Sequence, residues 1–361
     1  MAHTDTLDAA SAHGTRNAAA LRVWLFGVAA LVFLMVSVGG ATRLTGSGLS
    51  ITEWQPIIGT VPPLSNADWL EAFAKYQQIP QYHHVNRGMS LEAFKFIFWW
   101  EWTHRLLGRL IGFAFLVPFL YFLAVGQISR GLMGRLAGIF VLGGLQGFAG
   151  WYMVSSGLAD RLEVSQYRLS LHLALAILIF GALLWVALSL DEQRRHADAP
   201  APPAGTAGAA VLVGLVFLQI VLGAFVAGLR AGAGYNTWPL MDGRLVPHGL
   251  GSMEPWYLNL FENALTVQFD HRLVAYVLLG ASLWQASVVH RRSRDRGARR
   301  SAAILAAGVL AQAMLGIWTL LAQVPLALGL AHQAGAAAVF GLAVWHLHAL
   351  RQAGAPAERP S

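Results

Sequence analysis

The chain contains no cysteine among its 361 residues. That absence excludes disulfides, thiolate ligation, iron–sulfur clusters and any haem attached covalently through cysteine. Charge is also scarce. Asp, Glu, Lys and Arg make up 12% of the chain, about half the share expected of a soluble globular protein, so an ordinary water-facing surface is excluded. What fills the remainder is apolar: hydrophobic residues account for 56%, which places the chain in the membrane class.

A spanning helix needs roughly 20 predominantly apolar residues. Eight stretches meet that requirement, near residues 22–40, 93–125, 132–154, 166–189, 208–228, 263–289, 301–322 and 327–350. The second is long enough to project beyond a bilayer. The expected fold is therefore an all-α polytopic membrane protein.

Orientation follows from the basic residues, which concentrate in cytoplasmic loops. With the amino terminus inside, the inner segments hold Arg16, Arg22, Arg130, Arg135, Arg194, Arg195, Arg291, Arg292, Arg294, Arg296, Arg299, Arg300, Arg351 and Arg359. The much longer outer loops hold only Arg43, Lys75, Arg87, Arg161, Arg230 and Arg244. Both termini are thus expected in the cytoplasm. An anionic inner leaflet accounts for the net charge of +7, so the RRSRDRGARR run is read as a stop-transfer loop and no nucleic-acid partner is expected. Asp5 and Asp8 in the amino-terminal tail argue against a mitochondrial transit peptide, and a bacterial inner membrane is the expected location.

The chain reads as two matched halves. A polar, Ala- and Pro-rich segment at 190–207 separates residues 22–189 from 208–350, with cytoplasmic tails at 1–21 and 351–361. Span one exits through GGATRLTGSGLSITEWQP and span five through AGLRAGAGYNTWP; EWTHRLLG at 101–108 answers QFDHRLVA at 268–275; Gln146 and Gly150 recur as Gln312 and Gly316. Two pseudo-repeated four-helix bundles in parallel orientation are expected.

Four histidines occupy matching places in these halves: His104 and His172, His271 and His332. An ionisable side chain inside a span is costly unless it is paired or coordinated, and imidazole is the usual protein ligand of haem iron. Each lies roughly five to eleven residues into its span, which at about 1.5 Å per residue keeps all four in the outer half. One bis-histidine haem site per bundle is the expected arrangement. A single such histidine would more readily be a hydrogen-bonded core residue, but four matched by repeat and depth favour ligation. The other histidines are set aside: His3, His13 and His196 in tails and linker, His290, His346 and His348 at cytoplasmic helix ends where imidazole is easily solvated, and His83, His84 and His248 in outer loops.

The halves differ at one informative place. Glu101 stands one turn before His104, where Gln268 stands before His271. A carboxyl group can move a proton beside a substrate and an amide cannot, so the first half is expected to be reactive and the second a redox or structural partner. An ion pair between Glu101 and Arg105 is the competing explanation. Arg43 and Arg230, with Arg105, Arg109, Arg168 and Arg272, are candidates for haem propionates, against ordinary snorkelling. Trp54, Trp69, Trp99, Trp100, Trp102, Trp151, Trp238, Trp256 and Trp318 read mostly as an interfacial belt.

The stretches GGATRLTGSGLSITEWQP, FKFIFWWEWTHRLLGR, VAGLRAGAGYNTWPLMDG, QFDHRLVAY and AHQAGAAA, set in this eight-span duplicated layout, resemble the heme A synthase family from about residue 22 to 350. The resemblance implies oxidation of the C8 methyl of heme O to the formyl group of heme A, destined for terminal oxidases. It implies that His104 and His172 face the substrate haem with Glu101 as catalytic carboxylate, that His271 and His332 ligate a resident heme b, and that a heme O synthase supplies the substrate. The missing cysteines set the chain apart from the branch with cysteine pairs in its outer loops and move it towards the alphaproteobacterial and mitochondrial branch. The electron acceptor and any homo-oligomer stay open. A di-haem b-type electron carrier is the alternative, but such a carrier is best served by one haem near each face. A proton-coupled transporter of inverted-repeat type is disfavoured because these repeats run parallel.

Overall fold

Apolar runs that cannot bond their backbone to water must satisfy it internally, and helices do so within one segment. In the computed structural model the chain forms α1 (Ala2–Leu44), α2 (Asn66–Tyr76), α3 (Pro80–His84), α4 (Leu91–Ala124), α5 (Arg130–Leu158), α6 (Gln166–Ser189), α7 (Thr206–Gly228), α8 (Ala264–Arg292), α9 (Arg296–Leu321) and α10 (Leu326–Ala353). The structure describes residues 2–55, 58–158, 162–190 and 205–353, with side chains from residue 18 on. Most of the expected linker, the end of the carboxy-terminal tail, Arg161, Arg194, Arg195, His196 and Arg359 lie outside the described residues, as do the side chains of His3, His13 and Arg16.

Eight of these helices are long and apolar enough to cross a membrane, at the places the apolar runs predict. Two ends differ. Helix α1 extends back to Ala2, through residues expected as a polar tail, because an alanine-rich lead-in continues a helix at little cost. Helix α4 has 34 residues, about 51 Å at the helical rise, and outruns a hydrocarbon core of about 30 Å. Its start is fixed by Ser90, whose Oγ accepts from Ala93 N–H at 3.2 Å.

The packing forms two rings of four helices. Helix α1 packs on α4 and α6, α5 packs on α6 and only sparsely on α4, and α7 and α9 each pack on both α8 and α10. The rings meet through α6–α7, α1–α10 and α6–α10. Leu25, Ile177, Leu183, Leu212, Leu305 and Ala343 are buried in one continuous core shared by both rings. Gly181 and Gly341 sit where Phe340 and Phe180 pack, the small-residue contact by which membrane helices approach closely.

The long connection between α1 and α4 is more ordered than its polar sequence implies. A capping box starts α2: Ser65 Oγ accepts from Asp68 N–H at 3.2 Å and Asp68 Oδ2 accepts from Ser65 N–H at 2.9 Å. Trp69, Tyr76 and Ile79 are buried there against Phe94, Ile97 and Phe98 of α4, with Trp69 edge-on to Phe98 at 5.0 Å. Trp69 is therefore part of this small core, in contrast to the exposed Trp54, Trp238, Trp256 and Trp318. This loop and the α7–α8 connection lie at the amino-terminal ends of α4 and α8.

Candidate functional site

Each of the four matched histidines lies in the amino-terminal half of its helix and presses against a glycine on a neighbour. A Cβ on Gly39 of α1 would stand 3.2 Å from His104 Nε2, and one on Gly150 of α5 3.0 Å from His172 Cε1. In the second ring the pairs are Gly223 of α7 with His271 Cε1 at 3.2 Å and Gly316 of α9 with His332 Cε1 at 2.7 Å. Only glycine lets an imidazole lie this close to the adjoining helix. Gly150 and Gly316 are visible as a repeat in the sequence. Gly39 and Gly223 escape it because glycines are common in spans, although Gly39 opens the glycine-rich exit of span one and Gly223 lies just before that of span five.

Amides hold three of the four rings. Gln146 Nε2 lies 3.3 Å from His172 Nε2. Gln312 Nε2 lies 3.0 Å from His332 Nδ1 and donates to the His332 carbonyl oxygen at 2.6 Å. Gln219 Nε2 lies 3.1 Å from His271 Nδ1 and donates to the His271 carbonyl oxygen at 3.0 Å. Among the described residues no side chain hydrogen-bonds the His104 ring.

His271 and His332 stand across the second ring with their centroids 6.5 Å apart and their planes at 82°. Two metal–imidazole bonds of about 2 Å plus half a ring on each side come to roughly that separation, so the pair fits two axial ligands of one iron. Among the described residues no three His, Cys, Asp or Glu side chains converge as a metal cluster; the donors come in pairs.

Glu101 and Gln268 do the same mechanical work with different chemistry. Glu101 is buried. Its Oε2 accepts from Ser50 Oγ–H at 2.7 Å and Ile51 N–H at 2.8 Å, and its Oε1 accepts from Arg105 Nη2 at 2.6 Å and Nε at 3.1 Å. Arg105 donates onward to the carbonyls of Ile51 and Glu53. In the second ring Gln268 Nε2 donates to Ala231 O and Gly234 O, both at 2.7 Å, while its Oε1 accepts from Arg272 Nη2 at 2.8 Å. Arg272 reaches the carbonyls of Tyr235 and Thr237. Each pair clamps the connection that leaves the preceding span, and the first clamp alone contains a carboxylate.

The remaining arginines are engaged as well. Arg43 and Arg230, matched in the two halves, converge on one acid: Glu163 Oε2 lies 2.8 Å from Arg43 Nη2, and Glu163 Oε1 pairs with Arg230. Arg168 donates to Tyr152 O at 2.6 Å and lies 3.7 Å over the Tyr152 ring, and Arg109 donates to Gln55 O at 3.1 Å. Glu163 is a bridge that the sequence does not signal, since its two partners are far away along the chain.

Two histidines read as solvated are not. His346 is 0% exposed, bonded to Ser301 Oγ at 2.9 Å and near Gln285 Nε2 at 3.3 Å; His348 is buried edge-on to Trp185 at 5.7 Å. Helix α10 runs on to Ala353 and packs its end against α9 and α7, so these positions face protein. A second acid also merits notice beside His271: Asp270 is half-buried where the first half has Thr103, and among the described residues nothing pairs with it.

Residues 22–344 match the family described as cytochrome oxidase assembly protein. The chain is 56% identical over 336 residues to a protein of Parvibaculum lavamentivorans named heme A synthase, covering 92% of this chain and 95% of that one. The protein of the same name from Chelativorans sp. is 54% identical over 338 residues, covering 94% and 93%, and that from Bradyrhizobium diazoefficiens 57% over 328, covering 90% of each. The chain belongs to the heme A synthase family. Membership extends over both helix rings, so the matched histidines, their glycines and the two clamps all lie within the family's shared length.

Proposed function

We propose that the protein converts heme O to heme A, oxidising the C8 methyl of the porphyrin to a formyl group. The close likeness to heme A synthases over nine-tenths of the chain carries this reading, and the duplicated histidine pairs agree with it. The first ring is the substrate site, with His104 and His172 facing the iron of heme O. The second holds a resident heme b between His271 and His332, which supplies one-electron redox chemistry when bound. The two-ring packing supports a duplicated layout in which one ring reacts and the other relays.

The chain's own residues set the chemistry. His104 of α4 and His172 of α6 would hold the porphyrin between them, and the apolar ring walls would exclude water. Two successive oxidations, each adding the oxygen of one water and passing two electrons to the electron acceptor, take the methyl carbon to the alcohol and then to a geminal diol, which loses water to leave the aldehyde. Each step releases protons beside Glu101. Its carboxylate, held in place by Arg105 and the Ser50 and Ile51 donors, accepts them. Arg43, Arg105, Arg230 and Arg272 are the cations available to the haem propionates, exchanging part of their present partners for them.

The arginine distribution supports a bacterial inner-membrane protein with both termini cytoplasmic and both haem sites towards the outer face. Its implied partners are a heme O synthase upstream and an electron acceptor. Extraction and chromatography of haems from membranes that make heme O tests the reading: with this chain present, heme A accumulates at the expense of heme O. Unchanged heme O, with only heme b in the purified protein, would favour a di-haem electron carrier.

A further inference from the structure

A substrate haem must enter and leave at every turnover, whereas a resident one must stay. On the ligation reading above, the two rings differ at three places where that distinction would be built. The first is the support of the ligands. One turn before Gly223, which faces His271, stands Gln219; one turn before Gly39, which faces His104, stands Met35. Gln219 bonds the His271 ring and carbonyl. Met35 offers only a thioether, a weak acceptor with no donor, and its Cε lies against Gly108, one turn beyond His104. An amide packed on a ligand ring and tied to that residue's own carbonyl restricts the ring's rotation, and loss of such an outer-shell partner typically costs 10- to 100-fold in metal affinity. His172 keeps its amide, Gln146, so one ligand of the first pair is held and the other is free to turn.

The second difference is the seam between helices. Helices α8 and α9 pack along one another, whereas α4 and α5 touch sparsely. The third lies on α5. Gln146 and Gln312, Gly150 and Gly316 fix the register between α5 and α9, because each pair touches its ring's histidine. In that register Val309 and Ala313 of α9 correspond to Gly143 and Gly147 of α5. Val309 is buried in the core, while a Cβ on Gly143 or Gly147 would meet nothing within 4 Å. Both glycines lie at helical spacing on the face of Gly150, so the first ring has open space leading from His172 along α5 to the loose α4–α5 seam.

We infer that the substrate haem enters and leaves the first ring between α4 and α5, with His104 as the ligand that lets go. A porphyrin carrying an isoprenoid tail is suited to a lateral route through lipid, and the glycines leave room for that tail. Gln219, Val309 and Ala313 close the corresponding route to the resident haem.

The test uses full-length protein loaded with heme O and heme b, mixed with excess apomyoglobin, and follows haem transfer optically. Wild type releases haem in a fast phase from the first ring and a slow phase from the second. Met35→Gln slows the fast phase at least tenfold. Gln219→Met accelerates the slow phase roughly 10- to 100-fold and weakens the low-spin bis-imidazole spectrum, with helix content unchanged. Gly147→Leu slows the fast phase and leaves the slow one alone. Should Met35→Gln fail to accumulate, Gln219→Met and Gly147→Leu decide. Release rates and spectra at wild-type values in those two variants overturn the inference. If His271→Ala and His332→Ala both retain the slow phase, the ligation reading itself has failed instead.

Discussion

Glu101 and Gln268 hold equivalent arginines and equivalent connections, so comparing them isolates what a charge adds. The amide of Gln268 maintains its clamp without ionising, and Glu101→Gln should therefore fold. It loses an acceptor for Ser50 or Ile51, a cost of about 1–3 kcal/mol, and it can no longer take a proton. The expected outcome is near-normal haem content with a collapsed ratio of heme A to heme O in membranes. A ratio close to wild type would leave Glu101 as a structural partner of Arg105 alone. At this scale the sequence announces the four histidines because an ionisable group in a span must be explained. It does not announce Gly39, Gly223 or Gln219, which are unremarkable residues for a membrane helix and acquire meaning only against an imidazole. It misleads at His346, whose burial depends on Ser301 and Gln285 from two other helices.

Helices α1 and α10 connect the two sites more directly than the sequence implies. Gln333, beside His332, donates from Nε2 to Val36 O of α1 at 2.6 Å, and its amide occupies the space a Cβ would need at Gly40. Gly39, the next residue, faces His104. Gly40→Leu should push α10 off α1 at an overpacking cost of about 1–3 kcal/mol, lowering haem retention in both rings and the melting temperature. Gly27→Leu on the same helix, where nothing lies within 4 Å, should change neither measurably. An effect confined to one ring would show that this seam does not join the sites. Spans are legible because a 20-residue apolar run has few alternatives. Neighbour relations are not, because small residues permit many pairings. The ordered cap around Trp69 was not legible, because its short helices lack the long apolar run by which spans are recognised.

On the scale of the whole molecule, the arginine imbalance predicts the orientation, and the two helix rings are proposed to take different roles. An alkaline phosphatase fusion near residue 75 should be active and one near residue 196 silent; the reverse would put both haem sites at the cytoplasmic face. The duplicated layout is read from matched motifs in the sequence, while the unequal packing of α4–α5 and α8–α9 has no signature in hydropathy. The central claim is that the rings hold different haems, and the low-spin heme b spectrum of purified single variants tests it most directly. His271→Ala or His332→Ala should abolish that signal, because each axial position has one supplier, and His104→Ala or His172→Ala should leave it intact while heme A formation stops. Equal loss of the same signal in all four stably inserted variants would contradict the account.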